Sequence, residues 1–181
     1  VCCPLSNNAT FLSVPRFQQE AQLPPGLSAE DMASIVRDAT GPMAPLPIPT
    51  AVGFCMWIKR DAWNSHGPLD VAYGRGYGED DDFAQRVSSA GGTVICSPRA
   101  FVFHEGQKSF KTEAKTHVDR LVQESTDALY LKLVNHYGGR ESIPSPQELW
   151  GIGWFSPSPS LLGAGAELSR KEESVMTMDT R

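Results

Sequence analysis

Four carboxylates in succession, directly after a glycine-rich stretch, are the residues of this chain best suited to chemistry. The stretch YGRGYGEDDDF occupies residues 73–83, and its acids are Glu79, Asp80, Asp81 and Asp82. The glycines predict a mobile loop, and the acids fall on the first turn of a predicted helix, where the helix dipole favours negative charge. A carboxylate fixed beside such a loop suits a general base that meets its substrate as the loop closes. The same residues also fit a solvated, acidic helix start that has no chemical role.

The segments around the acidic run predict an alternation of strands and helices. Residues 50–58 are apolar and predict a buried strand, and residues 61–63 predict a short turn of helix. After the acidic helix, residues 93–96 and 100–103 predict two short strands, the second of which delivers His104 at its end. Because open α/β sheets bind ligands at the ends of their strands, the acidic helix and His104 are expected to face one cleft.

Several short motifs, taken in their order along the chain, resemble family-two inverting glycosyltransferases. The motifs are GFCM at residues 53–56, Arg60 with Asp61 and Ala62, Gly67 with Asp70, the glycine and acid run with Arg86, FVFH at residues 101–104, and Ser109 with Phe110. The stretch PLSNNAT at residues 4–10, with Pro15, is similar to a segment of bacterial members that build surface polysaccharides. The resemblance implies an α/β fold, namely the C-terminal half of a nucleotide-sugar glycosyltransferase fold. That half is a mixed sheet with flanking helices, and the N-terminal nucleotide-binding half is absent.

The resemblance also implies a role for eight residues. Asp80 stands at the position of the catalytic base, and His104 stands at that of a histidine that helps to bind a divalent metal, Mn²⁺ or Mg²⁺. The residues implied in substrate binding are Glu79, Asp82, Gly53, Gly78, Asn7 and Asn8. Leu69 and Val71 depart from the family pattern, but neither departure removes a presumed chemical group.

The implied reaction moves a sugar from a nucleotide-sugar donor to a glycan or lipid-linked acceptor, with inversion. Asp80 would take a proton from the acceptor hydroxyl, and the metal would stabilise the departing diphosphate. The only carboxylate cluster lies at residues 79–82, so the Asp-x-Asp-type motif that holds the metal is expected in the missing N-terminal half of the same enzyme. Residues 1–181 alone are therefore expected to show little or no transfer.

The implied organisation has three parts. Residues 1–110 would be the C-terminal part of the catalytic domain, residues 111–140 a helical extension and residues 141–181 a low-order tail. Ser28 as an N-cap predicts a helix over residues 29–39, and apolar spacing predicts a long helix over residues 112–137. Trp150 and Trp154 form a patch that would either dock on a membrane surface or a partner, or pack back on the domain.

Composition limits the classes of protein to which the chain can belong. It has 181 residues, 40% of them hydrophobic, which is enough for a folded core, and its net charge of −5 gives no sign of a nucleic-acid partner. The longest apolar run, residues 51–58, is too short to cross a bilayer. The cysteines at positions 2, 3, 55 and 96 lack the spacing of a zinc site and favour a reducing compartment. The expected location is the cytoplasm, with peripheral contact at the inner face of the membrane as a further option.

Two other functions fit parts of the pattern. A non-catalytic carbohydrate- or partner-binding module derived from such an enzyme would keep the strands and aromatic residues but need no base. An acidic calcium loop would use the alternating Asp80 and Asp82, but Ala84 stands where that loop needs its next ligand. The calcium loop is therefore disfavoured, whereas the binding module remains the alternative to the enzyme.

Overall fold

The computed structural model describes residues 1–16, 18–74, 76–106 and 115–142. Three sequence predictions fall wholly or mostly outside these ranges: the motif at Ser109 and Phe110, the patch at Trp150 and Trp154, and the low-order tail.

A small mixed sheet of three strands organises the described part of the chain. The strands are β1 (Cys2–Leu5), β2 (Leu46–Pro47) and β3 (Ile95–Phe101). The central strand, β3, pairs in parallel with β1 and antiparallel with β2. With helices around this sheet, the coarse prediction of an α/β fold with a mixed sheet is confirmed.

One continuous strand replaces the two short strands predicted at residues 93–96 and 100–103. The register pairs Pro4 with Ser97 and then Leu5 with Phe101, so β3 carries an irregularity of the bulge type opposite the end of β1. Proline has no N–H to give to a ladder and is tolerated at bulges, so Pro98 can lie within this strand. The prediction of two separate strands was wrong for this reason.

Residues 50–58 form a loop, and the prediction of a buried strand there was wrong. The loop turns at Gly53, and only at Trp57 does it exchange two backbone hydrogen bonds with Cys2, each of 2.9 Å. At its start, the side chain of Thr50 bonds to the acidic helix. Ala51, Val52, Phe54 and Met56 of this 50–58 loop pack on the core without entering the sheet, whereas Trp57 is exposed.

In the described part of the chain, four α-helices and three short 3₁₀ helices accompany the sheet. The α-helices are α1 (Ala29–Thr40), α2 (Arg60–His66), α3 (Glu79–Ser89) and α4 (Lys115–Tyr137), and the 3₁₀ helices are Thr10–Leu12, Val71–Tyr73 and Arg140–Ser142. The predicted N-cap of α1 is confirmed, because Ser28 and Asp31 form a reciprocal capping box. The helix α4 occupies the described part of the helix predicted over residues 112–137. Among the described helices, none combines the length and the apolar character needed to span a membrane.

Two groups of buried apolar side chains hold α3 between the sheet and α4. The first contains Cys3 and Cys96 of the sheet together with Ala84 of α3. The second joins Leu129 and Leu133 of α4 to the segment just before α3. Burial raises the pKa of each of the two sheet thiols to about 11, as is typical of unreactive core cysteines.

Candidate active site

The glycine loop before α3 is tied down by α4. The hydroxyl of Ser125 lies 3.0 Å from the carbonyl oxygen of Gly76 and 3.4 Å from that of Tyr73. Gly78, the N-cap of α3, has a φ of 126°, and a Cβ there would lie 3.1 Å from the Tyr73 ring. Only glycine suits that backbone conformation and that space, so the path of the chain into α3 is tightly defined.

Asp82 faces α4 and is an ion-pair centre. Its oxygens lie 2.9 Å from Lys132 Nζ and 3.0 Å from Arg86 Nε. Lys132 also lies 2.6 Å from Asp70, so the cluster joins α3, α4 and the segment between α2 and α3. Both carboxylate oxygens of Asp82 are therefore engaged in ion pairs, and its contact with substrate stays a prediction.

Asp81 points into the protein, where it meets Thr50 of the 50–58 loop. The Thr50 hydroxyl donates to Asp81 Oδ1 at 2.6 Å, and both residues are buried. Burial, followed by the charge of Asp80, raises the pKa of the Asp81 carboxyl to about 8, against the opposing effect of the Thr50 hydrogen bond. Asp81 is therefore neutral over most of the physiological range, and its role is internal.

Asp80 differs from these two acids because its hydrogen bonds within the described residues come from backbone N–H groups. The Gly53 N–H donates to Oδ2 at 2.6 Å, and the Asp81 N–H donates to Oδ1 at 3.0 Å. A Cβ on Gly53 would lie 2.9 Å from Oδ2, so only glycine lets the loop approach this closely. A carboxylate oxygen can accept more than one hydrogen bond, so Asp80 keeps capacity to accept a further proton donor.

The burial of Asp80 favours its action as a base. Desolvation raises the pKa of this half-buried carboxyl above its ordinary value, although hydrogen bonds led by that from Gly53 act in the opposite direction. A raised pKa means that the ionised carboxylate binds a proton more strongly. The arrangement therefore fixes the direction of the carboxylate and also increases its basicity.

Glu79 lies beside the glycine loop at the start of α3. Its pKa is raised mainly by burial, and one of its oxygens, Oε2, is buried with no hydrogen-bond partner among the described residues. The other oxygen lies near Gly76, at 3.8 Å from where a Cβ on that glycine would stand. Glu79 is therefore a second carboxyl with unused bonding capacity, next to Asp80.

His104 is held by both predicted asparagines. Asn7 brackets its backbone: the His104 N–H donates to Asn7 Oδ1 at 2.8 Å, and Asn7 Nδ2 donates to the His104 carbonyl at 3.1 Å. The ring Nδ1 lies 2.6 Å from the carbonyl oxygen of Asn8. Because a carbonyl can only accept, Nδ1 carries the proton, and in the neutral ring Nε2 keeps its lone pair.

Two consecutive residues of the 50–58 loop connect the predicted base to the predicted metal ligand. Gly53 bonds to Asp80, and the ring of Phe54 stacks on the ring of His104, with 5.0 Å between ring centroids. The structure therefore brings Asp80, Gly53, His104 and the asparagine pair into one connected arrangement. Asp82 faces α4 instead, and Gly78 serves the entry into α3.

The arrangement around His104 suits one metal ligand but does not form a complete metal site. A ring N–H that bonds to a backbone carbonyl is the usual support of a metal-binding histidine. Within residues 1–16, 18–74, 76–106 and 115–142, however, no three His, Cys, Asp or Glu side chains converge closely enough to hold an ion. The described residues thus do not supply a full set of ligands by themselves.

A cleft in the described part of the chain lies away from this arrangement. It measures about 560 Å³ and is lined by α2, α3 and α4, with Asp82, Arg86 and Lys132 on its walls. Neither Asp80 nor His104 lines it. The charged groups Asp82, Arg86 and Lys132 on its walls already form ion pairs with one another.

Three residues with clear contacts at this site were not predicted from the sequence. They are Thr50, Phe54 and Lys132. Lys132 had a usable signal, since it lies on the helical face that also carries Leu129 and Leu133, where a charge indicates a partner. Thr50 and Phe54 lie in an apolar run that predicted a strand, and such a run gives no sign of individual contacts.

Comparisons with protein-family models, with curated proteins and with solved structures find no match for this chain. The resemblance to family-two inverting glycosyltransferases therefore rests on the ordered motifs of the sequence.

Proposed function

We propose that this chain carries the acceptor-activating part of an inverting glycosyltransferase, with Asp80 as the general base. The observation that supports this most is the setting of the Asp80 carboxylate. It is oriented by two backbone N–H groups, its basicity is raised by burial, and the loop that holds it also holds His104. The substrates are a nucleotide-sugar donor and a hydroxyl of a glycan or lipid-linked acceptor.

The chemical step follows from a base that is fixed on the acceptor side. The acceptor hydroxyl donates its proton to a free lone pair of Asp80, and its oxygen forms a bond to the anomeric carbon. The bond from that carbon to the donor diphosphate breaks at the same time, and the electron pair leaves with the diphosphate. Attack from the face opposite the leaving group inverts the anomeric configuration.

The neighbours of Asp80 have supporting roles in this proposal. Gly53 fixes the carboxylate, and Gly78 lets the chain enter α3 so that the acidic turn faces the acceptor. Glu79, with its unpaired oxygen, would meet a further hydroxyl of the acceptor. Asn7 and Asn8 act through His104.

A divalent metal, Mn²⁺ or Mg²⁺, belongs to the proposal through the ring of His104. When bound, it would neutralise charge on the departing diphosphate, with His104 Nε2 as one ligand. Its other ligands would come from residues outside those described, in the nucleotide-binding half that the resemblance implies. The proposed setting is the cytoplasmic side of the membrane.

The test is sugar transfer by the full-length enzyme, measured as nucleotide diphosphate released from a panel of nucleotide sugars in the presence of Mn²⁺. Asp80→Asn keeps the shape of the side chain and removes the base, so the rate should fall about a hundredfold to ten-thousandfold. Donor KM should change little, because Asp80 serves the acceptor.

Asp38→Asn is the matched control, since it makes the same change on an exposed residue of α1 and should leave the rate unchanged. If Asp80→Asn turns over normally while Glu79→Gln is inactive, Asp80 is not the base. If the wild type binds glycans but releases no nucleotide from any donor, the non-catalytic binding module is the better account.

A further inference from the structure

The 50–58 loop approaches Asp80 so closely that small changes in its position matter. A Cβ on Gly53 would lie only 2.9 Å from Asp80 Oδ2, a distance that real Cβ atoms do not tolerate. The Gly53 N–H bond to the same oxygen is also short, at 2.6 Å. A shift of a few tenths of an ångström would therefore either press the loop into the carboxylate or weaken the bond.

Among the described residues, no backbone–backbone hydrogen bond ties the middle of this loop to the sheet. Backbone hydrogen bonds tie Ile48 to Val94 before the loop and Trp57 to Cys2 near its end. Between them, the bonds from Thr50 and Gly53 hold the loop to α3.

The Thr50–Asp81 hydrogen bond is well placed to control the loop. Both residues are almost fully buried, with exposed fractions of 2% and 5%. A buried hydroxyl and a buried carboxyl each need a partner, so each of these side chains depends on the other. Asp81 also donates its backbone N–H to Asp80 Oδ1, so the pair contacts the proposed base from inside the protein.

We propose that Thr50 and Asp81 are positioning residues for Asp80. Their hydrogen bond sets the depth of the 50–58 loop on α3, and thereby holds the Gly53 N–H on the Asp80 carboxylate and Phe54 against His104. The catalytic consequence of this role rests on the proposed function, whereas the structural consequence can be measured without it.

The first test compares Thr50→Val with Thr50→Ser by amide hydrogen exchange at Gly53, measured by NMR. Valine keeps the shape of threonine but cannot donate a hydrogen bond, so the Gly53 amide should exchange about tenfold faster, the factor for the loss of one ordinary hydrogen bond. Serine keeps the hydroxyl and should restore most of the protection.

Thr126→Val is the matched control, because the Thr126 hydroxyl bonds only within α4, to Val122. It should leave Gly53 exchange unchanged. Equal exchange at Gly53 in the wild type and Thr50→Val would overturn the proposal.

Asp81→Asn gives a second test that does not depend on how well Thr50→Val folds. Asparagine keeps an oxygen that can accept from the Thr50 hydroxyl, so the loop should stay in place and Gly53 should stay protected. Faster exchange at Gly53 in this variant would contradict the proposal, since the hydrogen bond itself is retained.

Transfer kinetics separate this proposal from the proposed function. In an active enzyme, Thr50→Val should lower kcat about tenfold with donor KM unchanged, and Thr50→Ser should recover kcat. A normal kcat in Thr50→Val, together with faster amide hydrogen exchange at Gly53, would overturn the positioning role. An inactive wild type would count against the proposed function, and the exchange at Gly53 would then decide the positioning role by itself.

Discussion

The buried carboxyl of Asp81 should make the stability of this protein fall as pH rises. Its pKa is raised from 3.8 to about 8, first by burial and then by the charge of Asp80, while the Thr50 hydrogen bond lowers it. In the unfolded chain it returns to the ordinary value. Between these two values folding takes up a proton, so the contribution of Asp81 to stability is complete below pH 3.8 and is lost towards about pH 8.

The size of this effect follows from the difference between the two pKa values. One pKa unit corresponds to about 1.4 kcal/mol, so between about pH 4 and pH 7 the contribution of Asp81 falls by up to ~4 kcal/mol. That is a large part of the roughly 5–15 kcal/mol that stabilises a typical domain. Asp70 acts in the opposite direction, since the hydrogen bond from Lys132 lowers its pKa and its contribution is lost as pH falls.

The assay is urea denaturation of the wild type and Asp81→Asn between about pH 4 and pH 8, with the difference in unfolding free energy as the result. The contribution of Asp70 cancels in that difference. Asparagine is neutral at every pH. As pH rises, the unfolding free energy of the variant should therefore increase by a few kcal/mol relative to that of the wild type. Asp38→Asn should show no such trend.

Two outcomes would refute this reasoning about Asp81. A difference between wild type and Asp81→Asn that stays constant with pH would mean that Asp81 does not take up a proton on folding. If the unfolding free energy of Asp81→Asn decreased relative to the wild type as pH rises, the ionised carboxylate would be the form that stabilises the fold.

The other predictions concern Lys132 and His104. Lys132→Met leaves the buried Asp82 with Arg86 as its remaining cation and should cost about 1–3 kcal/mol by urea denaturation, less than for a fully buried pair because the lysine is partly exposed. The double variant with Asp82→Asn should recover part of that loss, and a cost for Lys132→Met under about 0.5 kcal/mol would contradict the ion-pair cluster. His104→Ala in the full-length enzyme should raise the Mn²⁺ concentration needed for transfer while the far-UV circular dichroism persists. An unchanged Mn²⁺ requirement would remove His104 from the metal site.

Elements with local signals could be predicted from the sequence. The helix α1 was predicted from Ser28 and the acids that follow it, and those residues do form its cap. The helix α3 was predicted from its acidic first turn and from the glycines that follow it. In both cases the residues that decide the structure are close together in sequence, so neighbouring residues alone carry the signal.

Elements that depend on distant partners were predicted less well. Residues 50–58 have the composition of a strand, but whether such a run joins a sheet depends on a neighbouring strand, which sequence does not reveal. Pro98 ends a strand in most contexts, and only the bulge opposite β1 lets β3 continue through it. Similarly, the sequence gives no partner for Asp81 or Asp82, and only the folded structure pairs Asp81 with Thr50 and Asp82 with Lys132.

The two hydrogen bonds between the Asn7 side chain and the His104 backbone have a consequence for the order of folding. They join residues 97 positions apart, and the parallel pairing of β1 with β3 spans a similar distance. Such contacts carry a loop-closure cost that grows with the length of the intervening chain, and they slow the folding of small domains. We therefore expect the Asn7–His104 contact to form together with the pairing of β1 and β3. During synthesis the site should stay unformed until β3 has left the ribosome, even if α1 has already folded.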